Sequence, residues 1–228
     1  MTWQKFEQRF SIQLNEQQKQ AVQTVEGPVL LLAVPGSGKT TVLVTRLGYM
    51  IHCKGIDPRR ILTVTYTVAA TKDMAARFAA KFGPELAEQL EFRTINGICA
   101  KVLQYYGYRT GKTPHQLLND EKRIAGILAE IYQRVERVYP TDGDLKNIRT
   151  LITYIKNMML GEDEIEALDE EAECKISVIY REYCSKLKEL QMIGYDDQMV
   201  YAYVMLKKIP WLLAHFQELY PYICVDEA

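Results

Sequence analysis

The twelve residues 29–40, VLLLAVPGSGKT, decide the fold of this chain. They begin with an unbroken apolar run, residues 29–33, which is typical of a strand that a parallel sheet buries on both faces. Residues 33–40 then match the pattern of a phosphate-binding loop, except that Ala33 stands where the first glycine is usual. We therefore predict a strand, a phosphate-binding loop and a helix, in that order.

The residue types in this loop suit a phosphate group. Glycine at 36 and 38 allows backbone N–H groups to approach phosphate oxygens closely, Lys39 adds a positive charge, and Thr40 offers a hydroxyl to Mg²⁺. A purely structural glycine turn is the alternative, and we favour nucleotide binding because the loop lies between a predicted strand and a predicted helix. The residues assigned to the nucleotide are Gly36, Ser37, Gly38, Lys39, Thr40 and Thr41, with Lys39 also assigned a catalytic role.

A second chemical element closes the chain. The apolar run 222–225 predicts a strand, and Asp226 and Glu227 follow it directly. In open α/β sheets, ligands bind at the carboxyl ends of the strands. Asp226 would hold Mg²⁺ together with Thr40. Glu227 would orient and deprotonate a water molecule for attack on the γ-phosphate of the nucleotide. Solvated surface carboxylates are the alternative for an isolated Asp-Glu pair.

Strand and helix patterns alternate along the first part of the chain, and the middle part is helical. Apolar residues spaced three and four apart predict helices, and short apolar runs predict strands. The predicted strands are 29–33, 61–65, 91–94 and 222–225, and the predicted helices are 15–25, 40–52, 69–82, 100–106, 121–138, 144–159 and 172–190. This order indicates an α/β fold with a parallel sheet, interrupted by an all-helical insertion before the last strand returns. We place the boundaries at 1–96, 97–194 and 195–228.

Composition limits the classes of protein that fit. The chain has 228 residues, 48% hydrophobic and 25% charged, which suits one globular domain or two small ones. No apolar run approaches the roughly 18 residues that cross a bilayer, so we expect a cytoplasmic protein without a membrane partner. The five cysteines form no CxxC pair, which argues against a disulfide framework or a zinc site and favours small buried residues.

Charge is distributed unevenly although the net charge is only −1. Residues 1–159 hold 22 basic and 14 acidic side chains, whereas residues 160–228 hold 6 basic and 15 acidic ones. Much of the acidity lies in residues 162–173, which we interpret as a solvated helix start rather than a cation or protein site. The two parts therefore face different partners, or each other.

Several short motifs occur in a fixed order around the phosphate-binding loop. They are Leu14-Asn15-Glu16-Gln17-Gln18, Thr65-Tyr66-Thr67, Thr94-Ile95-Asn96-Gly97, Tyr195-Asp196-Asp197 and Val225-Asp226-Glu227-Ala228. In this order and spacing they resemble the motifs of the UvrD/Rep/PcrA-type superfamily 1 DNA helicases. The resemblance covers most of the chain and corresponds to the N-terminal part of such a helicase.

The resemblance implies a fold and a set of roles. The fold would be a RecA-like P-loop NTPase motor subdomain, 1A, with the helical insertion as subdomain 1B. Gln18 would contact the adenine of ATP, and Mg²⁺ would be the metal. Single-stranded DNA would be the partner, together with repair or nuclease proteins. The residues that the resemblance places on DNA are Thr65, Tyr66, Thr67, Thr94 and Asn96.

The chain departs from the family pattern at several of these positions. Val68 and Ala69 replace an asparagine and a lysine, which removes two polar groups from the expected DNA track. Asn96-Gly97 replaces a histidine-serine pair, and Thr41 replaces an arginine that would stack on adenine. Tyr66 keeps an aromatic face for base stacking.

Three other interpretations compete with an ATP-driven DNA motor. They are the motor part of a helicase–nuclease, a non-catalytic P-loop module that binds DNA or protein, and a phosphate-loop kinase or GTPase. The kinase or GTPase interpretation is disfavoured because it leaves the resemblance to DNA-contacting helicase motifs unexplained. In the family, the second RecA-like lobe follows the Asp-Glu motif, so we expect a truncated chain with little activity of its own.

Overall fold

The computed structural model describes residues 1–32, 34 and 36–226. Helices predominate. They are α1 (Trp3–Phe10), α2 (Glu16–Gln23), α3 (Lys39–His52), α4 (Val68–Phe82), α5 (Pro84–Ala87), α6 (Ile95–Thr110), α7 (Glu121–Glu136), α8 (Asp142–Met158), α9 (Glu162–Glu171), α10 (Ile176–Glu189), α11 (Tyr195–Lys208) and α12 (Pro210–Leu219), with a 3₁₀ turn at Pro58–Arg60. The strands are β1 (Ile61–Thr65), β2 (Glu91–Thr94), β3 (Gln116–Leu117), β4 (Met192–Ile193) and β5 (Tyr222–Val225).

A three-stranded parallel sheet organises the first part of the chain, in the order β2-β1-β5. Every residue of the central strand β1 is buried, as expected for an apolar strand that has a neighbour on each side. The register pairs Thr65 with Thr94 and Val64 with Val225. The predicted strands 61–65, 91–94 and 222–225 are therefore confirmed, as are a parallel sheet and the return of the last strand to it.

The predicted strand 29–33 is wrong over residues 29–32, and Ala33 lies outside the described residues. Leu30 and Leu32 are 74% and 84% exposed, and no ladder partner holds this segment. An apolar run predicts burial, but a strand also needs backbone hydrogen bonds to a neighbouring strand. β5 has one neighbour, β1, among the described strands, but residues 29–32 line a cavity together with β5 instead of pairing with its outer edge.

Contacts divide the chain into two compact units, of which residues 1–98 with 210–228 form the first. Its main core lies between α1, α3, α4 and the sheet and includes Phe6, Leu47, Phe78 and Phe82. Phe82 packs against the α3 backbone at Gly48, where a Cβ atom would lie only 2.2 Å from the ring. Helix α1, which no sequence pattern indicated, closes this core with Phe6.

The second unit comprises residues 99–209 and has a core of its own. The prediction that this part is entirely helical is wrong, because β3 and β4 form a short parallel pair. Hydrogen bonds from the backbone extend this pair, for example from the Leu118 N–H to the Ile193 carbonyl at 2.8 Å. The unit runs past residue 194 to Ile209 because α11 packs on α8.

An ion pair between α8 and α11 lies inside the second unit. Lys156 Nζ and Asp197 Oδ1 are 2.8 Å apart, and their side chains are only 5% and 13% exposed. Lys156 also lies 5.3 Å from the ring centroid of Tyr183. Nearby, the Thr153 hydroxyl donates to Asp196 at 2.9 Å. These polar contacts fix how α11 lies along α8.

Cysteine burial differs from the prediction. All five cysteines are free thiols, but Cys224 alone among them is fully buried and the other four are half-buried. Cys224 is the one buried residue of β5 and belongs to the core of the first unit, whereas the others lie within or next to helices. Within the described residues, no helix is both long enough and apolar enough to cross a membrane.

Candidate functional site

The glycine-rich loop enters α3 through two residues in the left-handed region. Gly36 has φ +79° and Gly38 has φ +84°, a conformation that residues with a Cβ atom rarely adopt. The Ser37 N–H donates to the Val34 carbonyl at 3.2 Å, which closes the turn, and α3 begins at Lys39. The first N–H groups of α3 have no carbonyl partner within the helix, so they are suited to hold an anion. Pro35 lies outside the described residues.

Gln18 lies against this loop from the first turn of α2, whose N-cap is Asn15. Asn15 and Gln18 form a reciprocal capping box at the start of α2, with bonds of 2.9 and 3.0 Å. The Gln18 Nε2 then donates to the Ser37 carbonyl at 3.1 Å. The structure thus brings together two residues of the predicted nucleotide site that are far apart in sequence.

Arg46 holds α2 in place, and sequence reasoning missed it. From the middle of α3, its guanidinium donates to the Ala21 carbonyl at 2.6 Å and to the Thr24 carbonyl. These are among the last carbonyls of α2, which lack partners within the helix. Arg46 therefore fixes the helix that carries Gln18. No sequence pattern points to it, because the contact spans more than twenty residues.

Lys39 and Asp226 line the same cavity, whose volume is about 840 Å³. Lys39 Nζ lies 3.4 Å from the Val34 carbonyl. The Asp226 N–H donates to the Val64 carbonyl at 2.9 Å, so Asp226 is fixed to β1 directly after β5. The opening accommodates a ligand of nucleotide size, and its polar lining includes a lysine and a carboxylate.

Three other residues were predicted to bind the nucleotide or the metal or to act in catalysis: Thr40, Thr41 and Glu227. Thr40 lies half-buried in the first turn of α3, and Thr41 beside it is exposed. Contact between Thr40 and Asp226 through Mg²⁺ stays a prediction, as does the role of Thr41. Glu227, the predicted catalytic base, lies outside the described residues. The described residues contain no cluster of three or more His, Cys, Asp or Glu side chains suited to a metal.

Tyr66 projects from the carboxyl end of β1 with 74% of its surface exposed. Its neighbours are fixed: Thr65 is buried, with its hydroxyl 3.1 Å from the Thr67 carbonyl and 2.6 Å from the Thr71 hydroxyl. Thr67 is the N-cap of α4, since its hydroxyl accepts from the Ala70 N–H at 3.0 Å. No sequence motif singled out Thr71, which makes this contact from α4.

The other predicted DNA residues follow β2, next to β1. Thr94 pairs with Thr65 in the sheet register, and its hydroxyl accepts from the Gly97 N–H at 3.0 Å. Asn96 lies half-buried at the start of α6. The carboxyl edge of one sheet therefore carries Thr94, Tyr66 and Asp226 on successive strands in the order β2, β1 and β5.

A left-handed glycine loop that opens a helix, beside a carboxylate at the end of a parallel strand, is typical of phosphate-loop proteins. A family comparison gives the finer assignment: residues 14–228 match the family described as UvrD/REP helicase N-terminal domain. The chain belongs to this family, as the motif order predicts.

Individual relatives agree with this assignment. The chain is 28% identical to an ATP-dependent DNA helicase PcrA of Leuconostoc citreum over 94% of the chain. It is 29% identical to PcrA of Bacillus subtilis, also over 94%, and 31% identical to a putative ATP-dependent DNA helicase, YjcD, of the same bacterium over 95%. The chain spans 28% to 29% of the length of these three relatives.

Proposed function

We propose that the chain is the ATP-binding N-terminal part of an ATP-dependent DNA helicase or translocase that acts on single-stranded DNA. One observation carries the proposal: the sheet register assembles the nucleotide candidate Asp226 and the DNA candidates Tyr66 and Thr94 along one carboxyl edge. A motor needs its nucleotide site and its DNA track on a shared rigid element. Family membership and the names of the relatives support the same function.

The nucleotide part of the proposal assigns ATP to the loop and to the start of α3. Gly36, Ser37 and Gly38 would present N–H groups to the phosphates, and Lys39 would neutralise their charge. When bound, Mg²⁺ supplies charge stabilisation at the phosphoryl group, with Thr40 and Asp226 as the residues suited to hold it. Glu227 would orient the attacking water. Gln18 would leave the Ser37 carbonyl to contact the adenine.

The DNA part assigns the exposed carboxyl edge over β1 and β2 to single-stranded DNA. The Tyr66 ring would stack on a base, which requires no particular sequence because every base has a π-face. Thr65, Thr67, Thr94 and Asn96 would surround it. With Val68 and Ala69 in place of polar residues, we expect affinity to depend more on stacking than on hydrogen bonds to the backbone.

The domain assignment is part of this proposal. The first unit, residues 1–98 and 210–228, would form a RecA-like motor subdomain, and the second unit, residues 99–209, would form its helical insertion, which extends the sequence-based boundary of 97–194 to include α11. Repair proteins or a nuclease are the partners proposed for the whole protein. We place it in the cytoplasm on the strength of the proposed DNA function alone.

Calorimetric titration with ADP and Mg²⁺ tests the nucleotide assignment. We expect Lys39→Ala to weaken binding roughly tenfold or more, because a lysine–phosphate contact is charge-assisted. Lys188→Ala, which removes an exposed lysine of α10, is the matched control and should bind like the wild type. Equal affinity in the wild type and Lys39→Ala would refute the site.

Turnover measurements on the same preparations test the motor proposal. The arginines that stabilise the transferring phosphoryl group contribute roughly 10³ to 10⁵ in rate in related enzymes. In the family they belong to the second lobe, so we expect negligible ATP hydrolysis by these 228 residues, with or without single-stranded DNA. DNA-stimulated turnover of about 1 to 100 s⁻¹ would contradict this expectation.

A further inference from the structure

Three oxygen atoms of Thr65, Thr67 and Thr71 form a closed polar triangle at the turn that contains Tyr66. The Thr65 and Thr71 hydroxyl oxygens are 2.6 Å apart, the Thr71 hydroxyl is 2.9 Å from the Thr67 carbonyl oxygen, and the Thr65 hydroxyl is 3.1 Å from that oxygen. Each hydroxyl has one proton to donate. One hydroxyl donates to the Thr67 carbonyl, and the second donates either to that carbonyl or to the first hydroxyl. Thr71 thereby connects both flanking residues of Tyr66.

Burial makes this triangle energetically significant. Thr65 is 1% exposed, so its hydroxyl must find a partner inside the protein or lose the energy of its bonds to water. Thr71 is half-buried and lies in the first turn of α4. The triangle therefore joins the end of β1 to α4 across the turn that contains Tyr66.

Additional bonds converge on Thr67 and stiffen the same turn. Its carbonyl also accepts the Thr71 N–H at 3.0 Å, the first bond of α4. Its own hydroxyl caps α4 through the Ala70 N–H. As a result, the residues on both sides of Tyr66 are held while the tyrosine ring itself is exposed to solvent.

We propose that Thr71 is a positioning residue that holds Tyr66 as a preorganised base-stacking platform. This inference rests on the proposed DNA function and deepens it. A side chain whose backbone is already fixed loses less conformational freedom when a base stacks on it, so more of the stacking energy appears as affinity. Thr71 touches no base and acts through the backbone of residues 65–67.

Hydrogen exchange tests the positioning part without any DNA. Thr71→Val keeps the shape of the side chain and removes the hydroxyl, whereas Thr71→Ser keeps the hydroxyl. A hydrogen bond of ordinary net strength corresponds to roughly threefold to tenfold in an equilibrium constant. We therefore expect amides 66–71 to exchange about threefold to tenfold faster in Thr71→Val and at nearly the wild-type rate in Thr71→Ser. Wild-type exchange in Thr71→Val would overturn the inference.

A double-mutant cycle with a labelled oligothymidine tests the link to DNA. By fluorescence anisotropy, Tyr66→Ala should weaken binding roughly tenfold or more, because stacking on an aromatic ring contributes that much per base. Thr71→Val should weaken it about threefold to tenfold, with Thr71→Ser restoring affinity. In the Tyr66→Ala background, Thr71→Val should have no further effect, since the platform is already absent.

The outcomes separate this inference from the proposed function. If Tyr66→Ala binds DNA like the wild type, the proposed DNA contact fails and the platform fails with it. If Tyr66→Ala weakens binding but Thr71→Val does not, the DNA contact stands and the positioning role is refuted. Equal losses from Thr71→Val in both backgrounds would show that Thr71 acts on DNA binding independently of Tyr66, which also refutes the role.

Discussion

At the scale of single residues, the ion pair between Lys156 and Asp197 is a buried electrostatic contact within the second unit. Both side chains are largely removed from water, and each relies on the other for charge compensation. Asp197 additionally accepts the Gly194 N–H at 2.8 Å, which caps α11. Removing one partner of a buried pair is far more costly than removing both, because it leaves an uncompensated buried charge.

We predict that Lys156→Met lowers the free energy of unfolding of the second unit by about 3–5 kcal/mol. Lys146→Met, at an exposed position of the same helix, is the control and should change it by less than about 0.5 kcal/mol. Urea unfolding followed by circular dichroism measures both. A loss in Lys156→Met no larger than in the control would mean that water or rearrangement compensates Asp197.

A second residue-scale prediction concerns acid stability at the start of α8. The Thr141 N–H and hydroxyl both donate to Asp144 at 2.8 Å, and these bonds lower the pKa of the Asp144 carboxyl below its ordinary 3.8. A lowered pKa in the folded state means that the ionised carboxylate stabilises the protein at neutral pH. This stabilisation is lost as the pH falls from the ordinary value through the lowered one.

We therefore expect wild type to be more stable than Asp144→Asn at pH 7, with the difference shrinking as the pH falls below about 3.8. Asparagine can still accept the capping bonds but carries no charge, so the comparison isolates ionisation. Urea midpoints of both proteins across this pH range provide the measurement. A difference that is independent of pH would show that the charge contributes nothing.

At the scale of elements, the packing of α3 on α4 depends on a glycine that has ordinary helical geometry. Gly48 is buried, and a Cβ atom there would lie 2.2 to 2.6 Å from three atoms of the Phe82 ring. The ring cannot withdraw easily, because it also contacts the rings of Phe6, Phe10 and Phe78. The close approach of the two helices therefore requires glycine at this position.

We predict that Gly48→Ala destabilises the first unit by about 1–3 kcal/mol, although alanine is the better helix former. Gly126→Ala is the matched control, since Gly126 lies exposed in α7 with no atom within 4 Å of its would-be Cβ. There we expect a gain of about 0.5–1 kcal/mol. Opposite signs in thermal unfolding would confirm that Phe82, rather than helix propensity, decides the outcome at Gly48.

At the scale of the whole molecule, the chain has two units with separate hydrophobic cores. Substitutions at distant sites with no shared partners usually act additively. Gly48→Ala lies in the first core and Lys156→Met in the second, so they should change stability independently. Each should also accelerate hydrogen exchange within its own unit alone.

Hydrogen exchange with peptide resolution on both single variants and the double variant checks this expectation. For Lys156→Met, faster exchange should appear in α8 and α11 while β1 and α3 stay at wild-type rates. For Gly48→Ala, the pattern should be reversed. If either substitution accelerated exchange equally throughout the chain, the two units would unfold as one cooperative body.

Local patterns in the sequence determined much of the fold and the composition of the candidate site. The regular apolar spacing of residues 40–52 and 121–138 was sufficient to predict α3 and α7, because helix periodicity is a property of a single segment. The glycines at 36 and 38 predicted a phosphate-binding loop for the same reason, and both have the positive φ that glycine favours. The order of the short motifs identified the family to which the chain belongs.

The tertiary structure alone decided the features that require contact between residues far apart in the sequence, namely strand pairing, long-range hydrogen bonds and the buried ion pair. Residues 29–32 have the apolar character of a strand but do not pair with the sheet, and a single segment cannot reveal whether its backbone will meet a neighbouring strand. Arg46, Thr71 and the Lys156–Asp197 pair gain their roles only when two elements meet. Hydrophobic periodicity records which face of an element is buried, whereas hydrogen bonds and ion pairs need atoms placed within about 3 Å. Only the folded chain places them so.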